Sequence, residues 1–130
     1  MTIAIASVIA FLFIAYGVRW WVIRGAIAQD GAYDNNQPRL QQAGLKGKAG
    51  RAQAAHQNSL EAFAPFAAAV LVAQGYSDLD AWRDALAVAF VVVRLVYVQA
   101  YLGDWGNGRS LVWSVGFVII LALFCLPLAG

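Results

Sequence analysis

The sequence predicts an all-α integral membrane protein built as a four-helix bundle, and its composition and four apolar stretches carry that prediction. Of its 130 residues, 62% are hydrophobic and only 12% are charged. Ordinary globular domains are about 45–50% apolar and about 25% charged. A chain this short cannot bury so much apolar surface within itself. The excess must face lipid or a partner chain, which excludes a soluble single-domain enzyme.

Each of the four stretches approaches the roughly 20 apolar residues that a transmembrane helix needs. We expect one domain over residues 1–130, with spans at 3–23, 52–74, 81–102 and 110–129. The first span has neither a basic leader nor a convincing cleavage site, so it is expected to be a retained helix. The second span is polar in its first half, the third contains Arg94, and the fourth carries no charge.

The connections between the spans orient the bundle. Residues 24–50 are expected to form one long polar loop, because they are rich in turn-forming residues. Seven basic residues flank or occupy the first and third connections, against Arg83 alone at the second. Basic residues accumulate on the cytoplasmic side of a membrane. We therefore expect the first and third loops in the cytoplasm and both termini outside.

Polar side chains within the apolar spans indicate a site, because a charge at the bilayer centre costs about 2.5–3.5 kcal/mol on insertion scales. At 100° per residue, six of them fall on two helix faces that can meet. These are Arg51, Asn58 and Glu61 on the second span, and Arg94, Tyr97 and Tyr101 on the third. The arrangement places Glu61 opposite Arg94. A purely structural ion pair between these two is one interpretation.

A surplus of positive charge favours a ligand site instead. With Arg109, the converging surfaces supply three cations and one anion, and an anionic ligand bearing carboxylates would complete them.

The single cysteine excludes a Cys-rich metal site. The nine basic residues are scattered and form no nucleic-acid footprint. His56 points about 140° away from Arg51, which favours an inter-helix hydrogen bond over a catalytic role.

Three segments of the sequence resemble a known family. Residues 51–61 (Arg-Ala-Gln-Ala-Ala-His-Gln-Asn-Ser-Leu-Glu) resemble the second-helix signature of the MAPEG family, the membrane-associated proteins in eicosanoid and glutathione metabolism. Asp34-Asn35-x-x-Pro38-Arg39 looks like the bacterial branch of that family. Arg94-x-x-Tyr97-x-x-x-Tyr101, followed by Arg109-Ser110, is similar to the third helix and the start of the fourth. The resemblance covers nearly the whole chain.

The resemblance implies a homotrimer in the bacterial inner membrane, with glutathione bound between subunits near the cytoplasmic face. By position, it assigns glutathione binding to Asn58, Glu61, Tyr97 and Tyr101, and thiolate stabilisation to Arg109. Arg19 or Arg24 would supply a further cation from the end of the first helix. Ala54 stands where glutathione-using members commonly carry arginine. Arg51, one turn earlier on nearly the same face, is the residue expected to reach the ligand in its place.

These expectations lead to a membrane-bound glutathione transferase or peroxidase that acts on a lipophilic small molecule. A free thiol has a pKa of about 8.5 and is mostly protonated at pH 7, whereas the thiolate is the nucleophile. A guanidinium near a helix N-terminus would lower the pKa of that thiol. A non-catalytic lipid-binding or scaffolding protein of the same fold is the main alternative. A small ion-coupled transporter is a third, although the sequence lacks the inverted repeats typical of transporters.

Overall fold

The computed structural model describes residues 2–129, except for the side chain of Ser77, and every regular element in that range is helical. This confirms the all-α prediction. Six α-helices follow one another along the chain: α1 (Ile3–Gly17), α2 (Arg19–Asp30), α3 (Pro38–Ala43), α4 (Gly47–Ala73), α5 (Asp80–Leu102) and α6 (Gly106–Cys125). Short 3₁₀ turns at Ser77–Leu79 and Leu126–Leu128 complete the secondary structure of this range.

The bounds predicted for the long polar loop, residues 24–50, are wrong at both ends. α2 continues to Asp30 and ends at Gly31, which has a φ of +85°, and α4 already begins at Gly47. The helices extend because Val22 and Ala26 of α2 are buried against α4. Small residues permit this packing, since a Cβ atom on Gly25 would collide with the Cβ atom of Ala49. The polar composition of this segment therefore marks the exposed sides of helices as well as a loop.

The core forms where α1, α4, α5 and α6 pack together. Phe11 of α1 contacts the rings of Phe66 and Phe90 edge-on, with centroids 5.9 Å and 5.2 Å away. Phe66 and Phe90 stack on each other at 4.0 Å. Ile120 and Leu123 of α6 belong to the same buried cluster. These contacts hold α4 against α5 and α6, which are the helices that carry the predicted site.

A polar cluster joins the start of α1 to the start of α5. The Asp84 carboxylate accepts a hydrogen bond of 3.1 Å from the backbone N–H of Ala4, one of the unpaired donors at a helix N-terminus. Asp84 and Asp80 both pair with Arg83, whose side chain is only 2% exposed. The buried Arg83 is therefore paired entirely within this end of the molecule.

Three helical segments in the described part of the chain are long and apolar enough to cross a membrane: Ile3–Asp30, Asp80–Leu102 and Gly106–Leu128. The first of these combines α1 and α2, which meet at Val18. α4 is longer than 18 residues but does not meet the same criterion, because its first half carries polar and charged side chains. Three of the four predicted spans thus lie on helices that are long and apolar enough to cross a membrane.

Candidate functional site

Arg94 lies at the centre of the predicted site, with a side chain that is 2% exposed. Its Nη2 atom donates hydrogen bonds to Asn58 Oδ1 and to Ser59 Oγ, both at 3.1 Å. The ring of Tyr97 lies 4.1 Å from the guanidinium carbon, and that of Phe11 lies 5.5 Å from it. Its Nε atom is buried without a partner among the described residues. The guanidinium is therefore held by neutral groups alone.

The ion pair between Glu61 and Arg94, which was one of the two interpretations of the sequence, does not form. Three ion pairs lie within 4.0 Å in residues 2–129, and none of them involves Glu61 or Arg94. Asn58 and Ser59 occupy the level of the guanidinium, and Glu61 is nearly one turn farther along α4 and exposed. Helical angles show which residues share a face of one helix. They do not show how far that helix is shifted along its neighbour.

A chain of cations and aromatic rings runs from Arg94 to Arg109. Tyr97 lies against Arg94 and meets the ring of Tyr101 edge-on, with centroids 5.5 Å apart. Arg109, in the first turn of α6, places its guanidinium carbon 4.4 Å from the centroid of Tyr101. The prediction that Arg94, Tyr97 and Tyr101 share one face is confirmed. Cation–π contacts of this kind hold a guanidinium in place without neutralising it.

Two adjoining pockets open along this chain of residues. The first, which we term the Glu61 pocket, has a volume of about 200 Å³ and a polar end formed by Asn58, Glu61 and Arg94. The rest of its wall is mostly apolar and comprises Ala62, Pro65, Phe90, Trp113, Gly116, Phe117 and Ile120.

The second, the Arg109 pocket, has a volume of about 260 Å³. It is lined by Tyr97, Tyr101, Arg109, Ser110, Trp113 and Ser114, without any carboxylate. Trp113 is part of both walls. An anionic group in the Arg109 pocket and an apolar group in the Glu61 pocket would therefore be neighbours.

Arg51 lies apart from both pockets. Its Nη1 atom is 3.8 Å from Asp104 Oδ2, and its Nη2 atom donates to the backbone carbonyl of Leu102 at 3.5 Å. Asp104 adopts a φ of +63° in the turn between α5 and α6, which carries its carboxylate to the start of α4. Arg51 therefore does not join Asn58 and Glu61 in the lining of either pocket.

His56 has a structural role, as predicted. Its Nδ1 atom donates a hydrogen bond of 2.7 Å to the backbone carbonyl of Ala15, and its ring packs edge-on against Tyr16. The side chain is 2% exposed, so it joins α4 to α1.

Arg19, proposed from the sequence as a ligand cation, donates instead to the hydroxyl of Tyr33 at 3.0 Å.

Two residues of the site, Ser59 and Trp113, and the Asp104 partner of Arg51 beside it were not identified from the sequence. Ser59 accepts from Arg94, Asp104 pairs with Arg51, and Trp113 separates the two pockets. Trp113 had a usable signal, because it lies four residues after Arg109 and so shares its helix face. Ser59 and Asp104 depend on contacts between helices, which no spacing within one helix reveals.

The comparisons with known proteins agree with this architecture. No curated protein and no solved structure gives a significant match. The family model of the MAPEG family, however, matches residues 3–129. Because that match covers essentially the whole chain, and because the chain carries helices able to span a membrane, the chain belongs to the MAPEG family of membrane proteins, which is associated with eicosanoid and glutathione metabolism.

Proposed function

We propose that this protein is a membrane-bound glutathione transferase or peroxidase acting on a lipophilic electrophile. The observation that carries the proposal is the Arg109 pocket, in which a half-buried guanidinium faces two tyrosines and no carboxylate. Cationic groups without anionic partners in a partly desolvated site favour an anionic ligand. Family membership supports glutathione as that ligand.

The charges of the two pockets complement those of glutathione, which has two carboxylates, one ammonium group and a thiol. Arg94 and Arg109 are suited to the anionic groups of the ligand, and the exposed Glu61 carboxylate is suited to its ammonium. Asn58, Tyr97 and Tyr101 provide neutral hydrogen-bonding groups between these charges. Arg51 would join the ligand only by giving up Asp104.

Arg109 is the proposed catalytic residue. It lies in the first turn of α6, where the helix dipole adds to the attraction of the guanidinium for an anion. Both effects stabilise the thiolate and so lower the pKa of the bound thiol. In conjugation, the thiolate attacks an electrophilic carbon, a C–S bond forms, and the leaving group departs with its electron pair. In the peroxidase reaction, two glutathione molecules reduce a hydroperoxide to an alcohol and water and become the disulfide.

The assembly that we propose is a homotrimer in the bacterial inner membrane, with α4 as a fourth span and lipids around it. Glu61 and the polar first half of α4 are unfavourable toward lipid, so contact with neighbouring subunits would cover them. The first connection, which is rich in basic residues, and the third, which is flanked by Arg109, would then face the cytoplasm, with both termini outside.

The test is glutathione binding and ionisation in detergent-solubilised protein, measured by calorimetry and by the ultraviolet absorbance of the thiolate. We expect wild-type protein to bind glutathione and to form the thiolate at neutral pH. Arg109→Gln should lower the conjugation rate with a model aryl halide by about tenfold to a hundredfold. The conjugation rate of this variant should begin to rise only at a higher pH than that of wild type. The bound thiol has lost its stabilising cation, so its pKa is higher.

Arg39→Gln removes the same charge from the exposed first connection and should leave both measurements unchanged. Absence of glutathione binding, or equal effects of the two substitutions, would contradict the proposal. In that case a non-catalytic lipid-binding or scaffolding role becomes the better explanation. The largely apolar wall of the Glu61 pocket favours that second candidate, and a lipid retained there after purification would support it.

A further inference from the structure

A third cavity lies between α2 and the first turn of α4, apart from the proposed ligand site. It has a volume of about 210 Å³ and shares no lining residue with the Glu61 and Arg109 pockets. We term it the α2–α4 groove, because α2 and the first turn of α4 form its walls. Its lining consists of Trp21, Arg24, Gly25, Ala28, Lys48 and Ala49.

The α2–α4 groove is positively charged and lacks an acidic partner. Arg24 and Lys48 line it, and neither forms an ion pair with any residue in the described range 2–129. The Nζ atom of Lys48 lies 4.6 Å from the ring centroid of Trp21. Asp30, the acidic residue nearest to the groove in α2, instead accepts hydrogen bonds from the amides of Gln29 and Gln41.

The position of the groove along the molecule matches the headgroup level of a bilayer. The helical segment Ile3–Asp30 has 28 residues and is therefore about 42 Å long. The hydrocarbon core is only about 30 Å thick, and headgroups extend it to about 40–45 Å. The charged end of this segment must therefore leave the hydrocarbon. Trp20 and Trp21 are 61% and 45% exposed, as is usual for interfacial aromatic residues.

The floor of the groove consists of small residues. Gly25 and Ala49 are in such close contact that a Cβ atom on Gly25 has no room, and Ala28 adds only a methyl group beside them. The long side chains of Arg24 and Lys48 stand on either side of this shallow floor. They leave space for a compact anion at the level of the Arg24 guanidinium and the Lys48 ammonium group. A phosphate diester has this size and charge.

From these observations we infer that the α2–α4 groove binds the headgroup phosphate of an anionic phospholipid. Arg24 and Lys48 would pair with the phosphate, and Trp21 would lie against the headgroup while the acyl chains remain in the adjoining bilayer. Exposed tryptophans at this depth favour a lipid over a soluble anion. Arg24, which the family resemblance offered beside Arg19 as a further glutathione cation, lines this groove and neither of the two proposed ligand pockets. The inference is therefore independent of the glutathione chemistry proposed for those pockets.

Native mass spectrometry of the purified full chain tests this site by counting retained phospholipids. Protein is incubated with phosphatidylglycerol or phosphatidylcholine carrying the same acyl chains. We expect stronger retention of phosphatidylglycerol, and a loss of at least about tenfold in its apparent affinity in R24Q/K48Q. The matched control R39Q/K46Q removes two positive charges from the same end of the molecule, outside the groove, and should retain nearly wild-type affinity.

A second variant separates a defined site from diffuse surface charge. Ala28→Leu fills the groove without changing charge, at a position that is exposed and tolerant of a larger side chain. It should weaken phosphatidylglycerol retention severalfold, while Ala32→Leu, outside the groove, should not. Equal losses in R24Q/K48Q and R39Q/K46Q, equal retention of both lipids, or an unaffected Ala28→Leu would overturn the inference. The inference would also be overturned if soluble glycerol phosphate stabilised the protein as much as phosphatidylglycerol does. The same holds if R24Q/K48Q lost glutathione binding and kept lipid binding.

Discussion

At the scale of single residues, the unusual feature is a buried arginine held only by neutral groups. Burial of a guanidinium is costly unless its donors are satisfied, and Arg94 has Asn58, Ser59 and two aromatic rings as its partners. Its Nε atom has none in the described range. A cation in this state keeps its charge available to a ligand in the Glu61 pocket, which an ion pair with Glu61 would have neutralised.

The contribution of Ser59 to this arrangement is measurable. Ser59→Ala should lower the free energy of unfolding by about 1–3 kcal/mol, because it leaves a buried donor of Arg94 unsatisfied. In an Arg94→Met background the same substitution should cost much less, since the donor is absent. Thermal unfolding in detergent, followed by circular dichroism, gives both values. Ser114→Ala, at an exposed position, is the control, and equal costs of Ser59→Ala in the two backgrounds would contradict this role.

At the scale of elements, the contact between α2 and α4 explains why the helices extend beyond their expected ends. Val22, Ala26, Ala52 and Ala55 form a buried cluster between them. Small side chains let the two helix backbones approach closely, as is common where helices pack in membranes. The segment after Arg24 is consequently helical in spite of its polar composition, because one of its faces is buried in this contact.

Two glycines provide a matched test of that contact. Gly25→Ala should destabilise the protein by about 1–3 kcal/mol, because the added methyl group collides with Ala49. Gly17→Ala has open space around its Cβ position and should be neutral or stabilising by up to about 1 kcal/mol, because alanine is the better helix former. Unfolding temperatures of the two variants decide the matter. Equal unfolding temperatures of Gly25→Ala and Gly17→Ala would show that Gly25 of α2 and Ala49 of α4 are not in close contact.

At the scale of the whole molecule, charge is segregated to two ends and one interior site. Arg83 is neutralised by Asp80 and Asp84 at the end where α1 and α5 begin. The opposite end holds the Arg51–Asp104 pair, the Arg109 pocket and the α2–α4 groove. The end with the greater positive charge is the one that we propose to lie at the cytoplasmic face.

Cysteine labelling tests the proposed topology, because Cys125 is the only natural cysteine. In a Cys125→Ala background, Asn35→Cys and Ala129→Cys should react with a membrane-impermeant maleimide from opposite sides of the membrane. Three crossings then separate the two positions. Ala129→Cys should react from outside intact cells, and Asn35→Cys only after permeabilisation. Labelling of both from one side would show that α4 does not cross, and the reversed pattern would contradict the orientation.

Much of the architecture follows from local properties of the sequence. The helical class and the apolar segments near residues 3–23, 81–102 and 110–129 follow from composition and length, because only a helix satisfies backbone hydrogen bonds in lipid without a closed barrel. The shared face of Arg94, Tyr97 and Tyr101 follows from helical periodicity. The structural role of His56 followed from its angle around α4. Each of these properties belongs to one helix and needs no knowledge of its neighbours.

The partners of Arg51 and Arg94 were decided by tertiary structure, whereas Arg83 pairs with neighbours on its own helix. Arg94 bonds Asn58 and Ser59 and leaves Glu61 unpaired, because the relative height of α4 and α5 sets which groups meet. Arg51 pairs with Asp104, because the turn before α6 turns that carboxylate back toward α4. Long side chains reach across several possible partners, so their pairing depends on helix offset and turn geometry. Sequence periodicity determines the angle of a residue around its helix, whereas packing determines what lies opposite.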